Sequence, residues 1–191
     1  MAKERLLKWY NYNESSLAAI QNIPFPTTAA APMTIASFPL KQIHTNDRIS
    51  LEATIQWTAS LTGTAASTGP AAFFLILGYQ QAIFQFWRDS IGTLGTLVYQ
   101  FTTTGGFISS GFAATSSVNI VTPNSITTTI SATDINVPKG KHTYYLTVAI
   151  PATNPSGAVG SGVIPPTAAS LVNPTVVNWH TAGFVIDENG T

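Results

Sequence analysis

The chain has 191 residues and no net charge; 45% of its residues are apolar and only 8% are charged, whereas about a quarter of an average globular protein is charged. Without a cluster of Lys and Arg to reach phosphates, the sequence excludes a nucleic-acid-binding protein. Its high apolar content excludes a disordered chain.

The first 32 residues predict an extended N-terminal arm. Residues 2–7 and 15–21 have a helix-forming composition, but neither segment has an apolar stripe at helical spacing. Four prolines between residues 23 and 39 exclude a central strand throughout that segment. We therefore predict an arm at 1–32 and one β-domain at 33–191.

Aromatic and apolar residues in the arm are candidates for an assembly contact. An arm too short to form its own core needs a surface on which these side chains can dock. That surface belongs either to the same subunit or to a neighbouring one, and our hypothesis is the neighbour. The predicted assembly residues are Trp9, Tyr10, Tyr12, Ile23 and Phe25.

The body of the chain alternates apolar and polar residues with a period of two, which is typical of strands with one buried face. The pattern places Trp57, Phe84, Phe86 and Tyr144 in the core. Turn residues, including Gly78, Gly105-Gly106, 123–125 and 138–140, separate the apolar runs. Such spacing predicts an antiparallel β-sandwich or barrel. The predicted strands are 49–57, 71–77, 82–88, 94–103, 117–122, 126–135, 142–150 and 175–186. The stretch 152–174, rich in Gly, Pro, Ala and Ser, predicts a long loop.

No pattern in the sequence points to catalysis, a metal or a cofactor. The chain has no cysteine, and His44, His142 and His180 lie far apart without a spacing known from metal sites. No Gly-x-Ser-x-Gly motif is present. We predict a non-enzyme without catalytic, metal or cofactor residues; a hydrolase would require His142 or His180 to meet a carboxylate in a cleft.

Charge is absent from long parts of the β-domain. No Asp, Glu, Lys or Arg lies between Asp89 and Asp134, or between Lys141 and Asp187. Soluble monomers normally place charges on exposed strands to prevent edge-to-edge pairing. The distribution therefore favours a protein whose surfaces meet copies of itself.

The run Asp-Ile-Asn-Val-Pro-Lys-Gly-Lys-His-Thr-Tyr-Tyr-Leu-Thr-Val-Ala-Ile at 134–150 resembles a hairpin of exosporium protein C-like spore surface proteins. The segments Phe-Phe-Leu-Ile-Leu, Ile-Phe-Gln-Phe-Trp-Arg-Asp and, at 178–186, Asn-Trp-His-Thr-Ala-Gly-Phe-Val-Ile add to this resemblance. It is also similar to the jelly-roll subunits of endospore appendages of bacilli. The resemblance implies an antiparallel jelly-roll β-sandwich and an extracellular or spore-surface (exosporium) location, reached without a cleaved signal peptide.

Together these observations predict a structural subunit that self-assembles into a surface layer or filament by non-covalent β-sheet and arm contacts. Its partners would be copies of itself and, following the resemblance, other spore-surface proteins, with no nucleic acid, membrane insertion or cofactor. The alternative is a trimeric receptor- or glycan-binding head of a fibre, similar to the tumour necrosis factor/C1q group.

Overall fold

A computed structural model describes residues 6–15, 22–27, 31–65, 72–113, 118–153, 156–162 and 167–187. These ranges contain ten strands and one short 3₁₀ turn at Gly92–Leu94. The strands are β1 (Leu6–Glu14), β2 (Ile23–Pro24), β3 (Met33–Ile43), β4 (Arg48–Ala65), β5 (Ala72–Arg88), β6 (Thr96–Ala113), β7 (Val118–Asp134), β8 (Gly140–Ala149), β9 (Ser156–Gly162) and β10 (Thr167–Asp187).

The strands form two antiparallel sheets that pack face to face. The first sheet has the order β1–β10–β4–β7, with β2 beside β10; the second has the order β3–β8–β5–β6, with β9 beside β5. Apart from the β5–β6 hairpin, consecutive long strands pass from one sheet to the other, which is the connectivity of a jelly roll. The predicted antiparallel jelly-roll β-sandwich is confirmed.

The core lies between the two sheets because every second residue of the long strands is apolar. Trp57, Phe84, Phe86 and Tyr144 are all buried, as predicted. Burial of each large apolar side chain stabilises the fold by about 1.5–3 kcal/mol. The largest fully buried side chains are Trp57, Tyr144, Phe38, Phe84, Phe86, Phe107, Leu40, Ile43, Ile49, Leu51, Ile55 and Leu61.

Three predicted turns lie inside strands instead. Strand β5 continues through Gly78, β6 through Gly105-Gly106, and β7 through Pro123. Pro123 is tolerated because β7 is an edge strand, where a missing N–H need not break a ladder hydrogen bond. The predicted loop 152–174 also contains β9 and the start of β10, while residues 154–155 and 163–166 lie outside the described ranges.

Gly105 is required by packing. A Cβ atom there would lie 2.0 Å from Ile126 Cδ1 and 2.6 Å from Trp57 Cη2, whereas a Cβ at Gly106 would meet nothing within 4 Å. Gly105 therefore lets the Trp57 ring approach the β6 backbone. This close approach explains why a glycine lies at position 105 in the middle of a strand.

We expect Gly105→Ala to lower the free energy of unfolding by about 1–3 kcal/mol, the usual cost of overpacking a core. Gly106→Ala is the matched control, since it adds the same methyl group one residue away in open space. Thermal unfolding of both variants at one protein concentration provides the measurement. Equal melting temperatures for the two variants would contradict this packing.

The described part of the predicted arm at 1–32 pairs with the sandwich. Strand β1 pairs with β10 from Leu6 to Glu14, and β2 pairs with the same strand at Thr175 and Val176. The sequence pattern misses β1 because polar side chains of this strand turn towards the second sheet. Asn11 Nδ2 donates to Pro39 O at 2.8 Å and Asn13 Nδ2 to Ser37 O at 3.2 Å.

Candidate self-association surfaces

The first candidate surface is the β6–β7 rim, which we define as the outer edges of β6 and β7. Among the described strands, β6 ends the second sheet and β7 ends the first, and the two contact each other on one side of the sandwich. Asp134, at the end of β7, is the only Asp, Glu, Lys or Arg in the sequence of either strand. The rim thus lacks the charges that normally protect sheet edges.

The rim is also long and regular. Strand β7 pairs with β4 from Val118 to Asp134 without a register shift, and the 18-residue β6 pairs with β5 with one shift near its start. Thr127 and Thr129 are exposed on β7, on either side of the buried Thr128. A long, neutral edge of this kind is a template for pairing with another strand.

The second candidate surface is the apolar face, which lies on the outer side of the second sheet. Its five large side chains project from β5 and β6 away from the core, and their exposed fractions run from 37% for Tyr79 to 72% for Phe112. Monomeric proteins rarely expose a contiguous apolar patch of this kind. The apolar face consists of Phe73, Leu77, Tyr79, Ile108 and Phe112.

Cross-strand pairs organise this apolar face. Phe73 lies opposite Phe112, with ring centroids 5.8 Å apart in an edge-to-face arrangement, and Leu77 lies opposite Ile108. The Tyr79 ring covers Gly157 of β9 so closely that a Cβ there would lie 2.7 Å from Tyr79 Cε1. The Tyr79 ring therefore lies against the backbone of β9.

The five predicted assembly residues divide into two groups. Trp9, Tyr10 and Tyr12 on β1 are 39%, 58% and 52% exposed, so their side chains are accessible. Ile23 is half-buried against the core, and Phe25 is 5% exposed with its ring 5.5 Å from that of Trp57. The structure thus places the Phe25 side chain in the core of its own subunit.

Strand β1 is fastened to its own subunit by ionic contacts. Lys8 Nζ lies 2.9 Å from Asp47 Oδ1 and 3.2 Å from Asp187 Oδ2. The hydrogen bond to Asp47 is the main reason why the pKa of Lys8 is raised above its usual value. Trp179 Nε1 also donates to Asn13 Oδ1 at 3.0 Å. Removing residues 1–32 would thus remove an edge strand and part of the core. A variant without these residues therefore cannot test whether the arm contacts a neighbouring subunit.

A buried ionic cluster lies at the end of β7. Arg88 Nη1 is 2.7 Å from Asp134 Oδ2, and Tyr144 Oη donates to the same oxygen at 2.9 Å. Burial, followed by the charge of Asp134, raises the pKa of Tyr144. The sequence pattern does not predict this role of Asp134, since its partners Arg88 and Tyr144 lie on other strands.

The histidine contacts bear on the hydrolase alternative. His142 is 9% exposed, with Nδ1 2.8 Å from Asp89 Oδ2 and Nε2 2.8 Å from Pro138 O. Both ring nitrogens therefore lie within hydrogen-bond distance of acceptors of the same subunit. His180 Nδ1 lies 3.4 Å from Glu14 Oε2 on an exposed sheet surface.

Two grooves in the described ranges have no histidine in their lining. One, of about 370 Å³, is lined by Leu7, Ser50, Glu52, Phe184 and Ile186. The other, of about 310 Å³, is lined by Asn46, Asp47, Arg48, Ile135 and Asn136. Within the described ranges, no three His, Asp or Glu side chains converge as metal ligands, and no helix is long and apolar enough to cross a membrane.

Comparisons with known proteins assign no family. No family model matches the chain, and no curated protein matches it. Two structures of infectious bursal disease virus, of the Gt and Gx strains, are each 12% identical in sequence, with TM-scores of 0.20 and 0.21. The matches cover 94% and 95% of this chain but only 42% and 43% of the viral chains. Likeness at this level carries no functional argument.

Proposed function

We propose that this protein is a structural subunit that assembles with copies of itself into a layer or filament. The observation that carries the proposal is the β6–β7 rim, a pair of long and almost uncharged strand edges on one side of a jelly roll. Main-chain groups on such edges bind an added strand by hydrogen bonds. A monomer would leave this edge open to indiscriminate pairing.

The charged residues of the described ranges support this assignment by their position. The contacts Lys8–Asp47, Arg88–Asp134 and His142–Asp89 all lie where β4 and β8 begin and β5 and β7 end. Three intramolecular charge pairs thus lie together at one end of the sandwich. The long edges are left neutral, which favours lateral contact between copies over repulsion.

The double variant Thr127→Lys/Thr129→Lys is expected to abolish lateral assembly, because lysines on an edge strand prevent strand pairing. The matched control is Thr54→Lys/Gln56→Lys, which places the same charges on the adjacent strand β4, opposite Thr129 and Thr127. Negative-stain electron microscopy and light scattering after size-exclusion chromatography would compare both with the wild type.

We expect polymers from the wild type and the β4 control but only small species from the β7 variant. A wild-type protein that stays monomeric at all concentrations would overturn the proposed function. Closed trimers of fixed mass would instead support the alternative of a fibre head.

We also propose a spore-surface location for the assembly, which is supported by the resemblance of residues 134–150 alone. An antibody raised against the purified protein, applied to intact spores and to vegetative cells of the source organism, tests it. Labelling confined to the spore surface is the expected result, and labelling only of the cell interior would contradict it.

A further inference from the structure

We propose that two copies of this chain pack back to back through the outer face of the second sheet, related by a two-fold axis. The inference rests on the proposed function and adds a second, separate contact to it. The apolar face would form one end of this interface. The uncharged side chains on the outer side of the remaining parts of β5 and β6 would form the rest of it.

The available area matches a stable dimer. Strand β5 has 17 residues, and at a rise of about 3.4 Å per residue it is about 58 Å long. On one side β5 pairs with β6, and on the other with β9 over Phe74–Gln80 and with β8 over Ile83–Arg88. Three strands about 4.8 Å apart therefore give a face of about 800 Å², close to the area that each partner of a standard protein interface buries.

Charge also favours a second copy as the occupant. The sequence has no Asp, Glu, Lys or Arg at 72–87, 96–113, 143–149 or 156–162, which supply this face. Two such faces meet without repulsion and without burying an unpaired charge. The side chains beyond the apolar face include Gln85 and Gln100, whose amides already bond each other at 2.9 Å, so this polar pair is partly satisfied before association.

The partner surface must be the same face of the second copy. The outer side of the first sheet exposes Glu52 near its centre, together with the Glu14–His180 pair. Packing an apolar face against those carboxylates would strip water from them without supplying partners, which is unfavourable. An isologous contact, in which one patch meets its own copy, avoids that cost.

The test uses Leu77→Lys, which places a charge in the apolar face on the central strand β5 and leaves the β6–β7 rim unchanged. Thr58→Lys is the matched control, because it places the same charge on a central strand of the other sheet, opposite Ser125 and Thr175 rather than opposite the substituted Thr129. Both are introduced into the edge variant Thr127→Lys/Thr129→Lys, so that lateral assembly is absent. Light scattering after size-exclusion chromatography gives the mass.

We expect the edge variant to be a dimer, the added Leu77→Lys to halve its mass, and the added Thr58→Lys to leave it dimeric. An edge variant that is already monomeric, while the wild type polymerises, would overturn the back-to-back dimer and leave the proposed function standing. A monomeric wild type would overturn both.

A cross-linking measurement keeps the inference testable if Leu77→Lys does not fold. The chain contains no cysteine, so Gln81→Cys introduces a single thiol near the middle of β5, close to the expected two-fold axis. A short bismaleimide should then give covalent dimers of Gln81→Cys but not of Thr54→Cys at the same concentration. Equal cross-linking of the two variants would overturn the inference.

Discussion

Asp134→Ala is expected to lower the free energy of unfolding by about 3–5 kcal/mol, the usual cost of removing one partner of a buried ion pair. The Asp134 carboxylate accepts from Arg88 and from Tyr144, and the Arg88 and Asp134 side chains are only 11% and 9% exposed. Without the carboxylate, the guanidinium stays largely buried without its counter-charge. Urea unfolding, followed by circular dichroism at one protein concentration, measures the loss.

Two variants separate this charge effect from other causes. Glu52→Ala removes an exposed carboxylate from the same sheet and should change stability by less than about 0.5 kcal/mol, as is usual at surface positions. Tyr144→Phe keeps the ring and removes one hydrogen bond to Asp134; it should cost about 1.5–3 kcal/mol, the range for hydrogen bonds to charged groups. A loss for Asp134→Ala as small as that for Glu52→Ala would contradict a stabilising role of the pair.

Trp57→Ala is the second change with a large expected effect, a loss of about 3–5 kcal/mol. The Trp57 side chain is fully buried, its ring contacts Phe25 and Phe107, and its Nε1 donates to Thr128 Oγ1 at 3.1 Å. Removal leaves a cavity beside Gly105 and an unpaired hydroxyl. The residue lies on β4 and contacts β6, β7 and the residue that follows β2, so the cavity weakens both sheets.

Trp9→Ala is the matched control, since it removes the same side chain from an exposed position on β1. We expect its unfolding curve to stay within about 0.5 kcal/mol of the wild type. Chemical denaturation with fluorescence detection would report both variants. If the two changes lowered the free energy of unfolding equally, the buried Trp57 would contribute no more to stability than the exposed Trp9 does.

The sequence predicts the β-sandwich because apolar alternation in the central strands is strong, as at residues 49–57. It predicts neither continuous strands at Gly105 and Pro123 nor β1. Gly105 is explained by the Trp57 ring lying against it, a contact between distant residues. Pro123 depends on β7 being an edge, and an edge is a property of the whole sheet.

The candidate surfaces were predictable only in part. The lack of charged residues between Asp89 and Asp134 does indicate a neutral surface. This part of the sequence contains β6 and β7, which form the β6–β7 rim. Which apolar residues of β5 point outward could not be inferred, because residues 73–77 are apolar on both faces. The pairing of Phe73 with Phe112 depends on the β5–β6 register, which is set by a connection and a bulge rather than by either strand alone.

The unbroken register of β7 has a mechanical consequence. All 17 of its residues pair with β4 without a shift, so a strand added on its outer side would meet a row of main-chain groups in one register, with Pro123 as the residue that has no N–H to donate. Tension along the strands would act in shear on all the hydrogen bonds between β7 and the added strand at once. A sideways pull would instead break these hydrogen bonds one at a time. A polymer joined in this way resists stretching along its strands far better than it resists being pulled apart sideways.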